Sequence, residues 1–265
     1  MSPLCDAHNH LHDPRLVPHR AQIFEALRRL KVTRCVVNGT RESDWEAVAT
    51  LAGAHPGTIA SFGVHPWYVN DVSPQWQNRL LDFLQAYPNG GIGEIGLDRW
   101  IQPHDFSAQQ DAFKWQLYLA AERNRPVSIH CLKAWGALRE ILQTHPLPER
   151  GFLLHAYGAS QEMVEGFVEK GAYFSFSPYF LHARKEKQRE VFKAVPIERL
   201  LVETDAPDMA PPEERNTHSL PGVDGKMLNH PANIAVAYSG LAELRGIPLE
   251  TLATQVAANF TRLFG

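Results

Sequence analysis

Eight short apolar runs, most of them rich in β-branched or aromatic residues, recur along the 265-residue chain, with segments of helical period between them. They are LCDAH (4–8), TRCVVNG (33–39), TIASFGV (58–64), GGIGEIGL (90–97), PVSIHC (126–131), FLLHA (152–156), AYFSFS (172–177) and RLLVETD (199–205). Runs this short and apolar suit strands buried on both faces. A parallel pair needs a long crossover, and helix-length segments supply one. Eight such units in this length predict a single α/β domain over residues 1–265, folded as a (β/α)8 TIM barrel. An open doubly wound sheet competes with it, because periodicity does not reveal closure.

The segments between the runs carry helix signals. In SAQQDAFKWQLYLAAERN, Phe113, Leu117, Leu119, Ala120 and Ala121 make a broad apolar face, and Ser107 is placed to cap the first turn. SQEMVEGFVEKG reads as one helix from Ser160 to a stop at Gly171. Residues 206–231 are proline-rich, polar and longer than an ordinary connection, as functional or mobile loops are. Two closing helices follow, in ANIAVAYSGLAELRG and PLETLATQVAANFTRLFG.

Composition narrows the function classes. A net charge of -3 gives no global attraction to nucleic acid or anionic membrane, so a nucleic-acid substrate must be held by local charge and metal. No apolar run approaches membrane-spanning length and the start of the chain lacks a signal pattern. Cys5, Cys35 and Cys131 are too few and too scattered for a disulfide framework. The expectation is a cytoplasmic protein with no membrane partner, a monomer or weak oligomer.

Histidine carries the chemical signal. In CDAHNHLHD, residues 5–13, a strand over 4–10 places Asp6, His8 and His10 on one face. His-x-His alone is more often a polar strand end than a ligand pair. The other candidates strengthen it: His65 follows the third run, Glu94 lies in the fourth, and His130, His155 and Asp205 close the fifth, sixth and eighth. In a parallel barrel these ends converge on one mouth, where barrel active sites sit. Glu94 and Asp205 lie among Ile92, Ile95, Leu200, Leu201 and Val202, and carboxylates buried there need a cation or a donor. Lys133 alone cannot neutralise both; divalent metal can.

DAHNHLHD, GVHPW, GEIGLD, PVSIHC, LHAYG and ETDAP, in this order and spacing, resemble the TatD family of metal-dependent hydrolases over essentially the whole chain. The resemblance implies an amidohydrolase-like barrel and, because many members are described as deoxyribonucleases, hydrolysis of phosphodiester bonds in DNA. It implies two divalent ions: one held by His8, His10, Glu94 and Asp205, the other by Glu94, His130 and His155, with Glu94 bridging. It also makes His65 an active-site histidine near the substrate. The departures cluster at substrate-facing positions: Ala156 and Tyr157 before Gly158, Cys131 to Lys133 where a small residue and Arg are common, Trp67 where His is common, and His230 between Asn229 and Pro231.

Within that frame Glu94, Asp205 and His65 are the expected catalytic residues, and Asp205 takes the proton of the attacking water. Lys133, His65 and Tyr157 are the expected substrate contacts. The ligand set suits Zn, Mn or Co, with Mg as a further working ion. Trp67, Tyr68, Trp100, Phe106, Trp135, Tyr157, Tyr179 and Phe180 follow strand ends or lie in nearby loops, as a group suited to stacking on bases. Two rivals stand beside the nuclease. One is an amidohydrolase-type enzyme for a small amide, ester or lactone; the other is a non-enzymatic partner with a structural metal. A basic, aromatic-lined groove favours the nuclease over the first, and an open coordination position speaks against the second.

Overall fold

The eight runs are eight strands, and each pairs in parallel with the next in chain order. The computed structural model describes residues 3–222 and 225–265. Residues 1 and 2, at the start of the segment read for a signal pattern, and 223 and 224, in the proline-rich loop, lie outside the described residues. The strands are β1 (Leu4–Asn9), β2 (Val32–Asn38), β3 (Thr58–Phe62), β4 (Gly91–Asp98), β5 (Val127–Leu132), β6 (Phe152–Leu154), β7 (Ala172–Phe176) and β8 (Leu200–Val202). Every residue of β1, β4, β6, β7 and β8 is buried, as continuous apolar runs require when helices cover one face and the barrel interior the other.

Closure, which periodicity left open, comes from bonds just beyond the last strand. Asp205 N donates to His8 O (3.0 Å) and His10 N donates to Ala206 O (2.8 Å). Below them the buried Asp6 carboxylate accepts from Thr204 N (3.1 Å) and Thr204 Oγ1 (2.6 Å). Asp6, which alternation placed beside His8, therefore clasps β1 to the end of β8. Burial pushes its carboxyl up to about 7 even though the Thr204 bonds favour the ionised form.

The helices form by the expected periodicity. In α1 (Arg20–Arg29) Ile23 and Leu27, one turn apart, are the buried pair. Between it and the next barrel helices lie α2 (Trp45–Ala54) and α3 (Trp76–Ala86). In α4 (Phe106–Glu122) Phe113, Leu117 and Ala120 face inward. The cap of α4 is Asp105, not Ser107: its carboxylate accepts from Ala108 N (3.0 Å). Asp and Ser are comparable caps, and the first to reach a free amide wins. After α5 (Trp135–Thr144), the segment expected as one helix from Ser160 is a 3-10 turn (Gln161–Met163) followed by the short α6 (Val164–Glu169). Ser160 holds the cap position without a side-chain bond, and Gly171 takes the left-handed backbone (φ 90°) that ends it.

Past α7 (Glu186–Val191), residues 206–231 hold a hairpin of β9 (Ser219–Pro221) and β10 (Met227–Asn229), tied under the barrel rim where Asn229 Nδ2 donates to Thr204 O (2.9 Å). The closing helices α8 (Ile234–Arg245) and α9 (Leu249–Phe264) seal the β8–β1 seam. Tyr238 Oη accepts from Cys5 N and donates to Cys5 O, and Asn259 Nδ2 donates to Leu200 O and Ile197 O. Phe260 and Leu263 are fully buried beside them, each contributing about 1.5–3 kcal/mol of apolar burial. The three cysteines are free and buried. Among the described residues no helix is long and apolar enough to cross a membrane.

Candidate metal centre

The parallel strands carry their C-terminal residues to one mouth, and the six expected ligands meet there around Glu94. Its two carboxylate oxygens face different partners. Oε2 lies 3.4 Å from His8 Nε2 and 3.4 Å from His10 Nε2. Oε1 lies 3.1 Å from His130 Nδ1 and 2.9 Å from His155 Nε2. Asp205 Oδ1 completes the first group, 3.6 Å from His8 Nε2 and 3.3 Å from His10 Nε2. The rings of His8 and His155 stack at 4.1 Å, so the two groups share a wall. His8, Glu94, His155 and Asp205 are buried, and His10 and His130 are half-buried toward the opening.

The imidazole partners set which nitrogen is free. His10 Nδ1 donates to Asn38 O (2.8 Å), leaving the Nε2 lone pair toward Glu94 and Asp205. His130 Nε2 donates to Asp98 Oδ2 (2.9 Å), leaving the Nδ1 lone pair toward Glu94. Each ring thus turns a lone pair inward and its proton outward, the arrangement of a metal-ligating histidine. Ligand atoms about 2.1 Å from a tetrahedral ion stand about 3.4 Å apart. The separations here, 2.9 to 3.6 Å, match ligands sharing a cation. Asp205 Oδ1 is buried with no hydrogen-bond partner of its own. Burial alone would push Glu94 up, but the neighbouring imidazoles, His155 first, hold it well below the usual carboxylate range. The donor set fits divalent metal: two carboxylate charges with lone pairs converging on them require positive charge between them.

His65 has a different bond pattern. Its Nδ1 accepts from Trp67 N (3.2 Å), so the proton of the neutral ring sits on Nε2, 3.5 Å from Glu94 Oε1. Burial drives the ring well below the usual imidazole value despite Glu94, so His65 is a neutral donor at the edge of the cluster.

The backbone is bent to deliver these groups. Asp205 (φ 53°), Lys133 (φ 55°) and Ala156 (φ 43°), each at or just past a strand end, adopt the left-handed conformation, uncommon for such residues and concentrated at functional sites. At Gly96, between Glu94 and Asp98, a Cβ would lie 1.9 Å from His130 O, so only glycine lets β4 approach β5 here.

Lys133 is exposed at the rim, and among the described residues no carboxylate pairs with it. Tyr157 is a correction. It is fully buried, its ring packs edge-on against Trp135, Phe167 and Phe174, and its hydroxyl donates to Ser160 O (3.0 Å). The left-handed turn at Ala156 carries the chain away from the mouth, and an aromatic ring gains more by filling the layer beneath α6 than by facing water. Phe180 is likewise buried.

Several supporting residues escaped the sequence reading. Asp98 holds His130. Glu203, fully buried, accepts from Ala156 N (2.8 Å) and Ser175 Oγ (2.5 Å), and its Oε1 lies 3.7 Å from His155 Nδ1. Two buried glutamines of α4, seven residues apart, bond backbone next to the site: Gln109 with Asp98 N and O, Gln116 with Val64 N and O. The alternation of Glu94, Gly96 and Asp98 on one strand face was the signal for Asp98. Nothing local in the sequence points to the glutamines.

Known proteins share this frame. The family model of TatD related DNase matches residues 5–265. A protein of Pantoea sp. (strain At-9b) named "3'-5' ssDNA/RNA exonuclease TatD" is 32% identical over 249 residues, 92% of this chain and 93% of its own length. The Escherichia coli K12 "Uncharacterized metal-dependent hydrolase YcfH" is 28% identical, covering 98% and 95%. The crystal structure of the TatD homolog YjjV from Escherichia coli K12 superposes with a TM-score of 0.89 at 27% identity, over 98% of this chain and 97% of that one. The family match runs from the first strand through the last helix and encloses every residue of the cluster; the chain belongs to the TatD-related DNase family.

Proposed function

We propose that the protein is a dinuclear metal-dependent nuclease that hydrolyses phosphodiester bonds in single-stranded DNA, working in the reducing cytoplasm. The observation that carries this reading is the divided carboxylate of Glu94, one oxygen facing His8 and His10, the other His130 and His155. By these distances His8, His10 and Asp205 would hold one ion and His130 and His155 the second, with Glu94 shared. When bound, two divalent ions polarise the scissile phosphate and make a neighbouring water acidic. Zn, Mn and Co suit these ligands, and Mg is a further working ion.

The protein's own groups do the rest. Asp205, with Oδ1 free of protein donors, accepts the proton of the attacking water. His65 offers its Nε2–H to a non-bridging phosphate oxygen and, being neutral, loses no proton in doing so. Lys133, Arg41 and Arg99 are exposed cations near these strand ends, and among the described residues none is paired with a carboxylate. They supply the local positive charge that the acidic chain lacks overall. The name of the Pantoea relative supports a single-stranded substrate.

The test is activity of protein loaded with Mn, Zn, Co or Mg on end-labelled single-stranded DNA and RNA, beside a panel of neutral esters, amides and lactones. Cleavage of oligonucleotides with the panel untouched is expected. Turnover of the panel without oligonucleotide cleavage would make the small-molecule hydrolase the correct reading.

A further inference from the structure

We propose that Trp67 and Trp100 form a nucleobase-stacking subsite at the mouth, registered to the metal cluster by Asp98. The proposal rests on the nuclease reading above and names how that site would grip its substrate. Trp67 and Trp100 are 41% and 53% exposed, whereas Tyr157 and Phe180 are buried and Trp135 packs against Tyr157 and Phe167. The two indoles lie near-parallel, 28° apart with centroids 6.3 Å from each other, and both are exposed to solvent. Surface of this kind is costly in water, and on a rigid rim it suits a planar apolar ligand.

The pair is held, not loose. Trp67 Nε1–H donates to Asp98 Oδ2 (2.7 Å), the oxygen that also accepts from His130 Nε2. Asp98 Oδ1 accepts from Trp100 N (2.6 Å). A single buried carboxylate therefore fixes one indole, the backbone of the other and a metal-facing imidazole. The His65 and His130 rings lie 4.4 Å apart, and His65 is 5.2 Å from Trp67, so the platform continues directly from the cluster. Arg99 is exposed between Asp98 and Trp100, with its guanidinium over Phe106 and no carboxylate partner among the described residues, available to a phosphate. A base on the indole face would thus set its phosphate against the metal-facing groups, and stacking serves any base because every base has a π face.

The experiment compares metal-loaded wild type, Trp100→Ala and Trp100→Phe on a single-stranded oligonucleotide and on the same oligonucleotide with one abasic residue at the cut position. A second readout is quenching of tryptophan fluorescence by both oligonucleotides in EDTA. Removing the base should lower wild-type kcat/KM about 10-fold, mainly through KM. Trp100→Ala should lose about as much on the intact oligonucleotide and nothing further on the abasic one, while Trp100→Phe restores most of it. Quenching should be strong with the intact oligonucleotide and weak with the abasic one. Equal losses of Trp100→Ala on both substrates, or no loss, would overturn the platform while leaving the nuclease intact. If wild type cuts neither, the nuclease reading fails, and equal quenching by both oligonucleotides would then remove the platform too.

Discussion

The two halves of the cluster place negative charge at different distances from the metal-facing atoms. On the β1–β8 side a carboxylate, Asp205, faces the centre directly, and His10 is steadied by a backbone carbonyl, Asn38 O. On the β5–β6 side the groups beside Glu94 are imidazoles, and the carboxylates stand behind them: Asp98 on His130, Glu203 near His155. Direct charge binds a cation by Coulomb attraction; charge behind an imidazole acts by fixing the tautomer and raising the ring's basicity. The first half therefore presents a carboxylate directly to the centre, and the second holds its imidazoles from behind. It follows that the β5–β6 half can be tuned from outside the ligand shell, whereas no side-chain substitution removes the carbonyl that supports His10.

The largest expected effect joins both halves. Glu94→Gln keeps the shape but removes the shared charge, so hydrolysis should fall at least about 1,000-fold and bound metal should drop for both sites. Elemental analysis finding metal content unchanged would break the bridge between the halves. Metal removal should come next. Stripping with EDTA removes binding energy available only to the folded state, about 3 kcal/mol at 100-fold excess of metal over Kd, which lowers Tm by about 5–10 °C in a chain of this size. A calorimetric scan showing equal Tm with and without metal would mean the cluster contributes nothing to the fold.

Asp98→Asn sharpens the contrast. It should weaken one ion about 10–100-fold and leave the other, so that titration resolves two unequal sites where wild type shows two tight ones. Equal weakening of both would show that the halves do not act separately. Lys133→Ala is smaller: KM for oligonucleotides should rise a few-fold, the slope of log affinity against log salt should flatten by about one, and neutral esters should be unaffected. The smallest effect concerns the far side of β6. Tyr157→Phe removes one buried hydroxyl bond, to Ser160 O, and should cost about 1 kcal/mol of stability in denaturant titration without altering KM.

Residue types and their spacing along the chain determined much of this protein. Apolar runs interrupted at helix-length intervals require parallel strands, and eight of them suffice for a barrel. Parallel strands deliver their ends to one side, so His8, Glu94, His130, His155 and Asp205 were legible as a cluster because each stands in or at the end of a run. Tertiary structure decided what local pattern does not encode. Closure depended on Asp6 reaching Thr204, 198 residues away, which no window along the chain contains. The cap of α4 went to Asp105 because capping depends on which side chain meets a free amide after the strand end is placed. Tyr157 looked like a substrate contact because it follows His155, but a left-handed turn and a waiting apolar layer took it into the core. The supports of the site, Glu203, Gln109 and Gln116, are polar residues on buried faces. Their partners are backbone atoms and rings on other elements, and a hydrogen bond between distant segments exists only once the fold has brought both ends together.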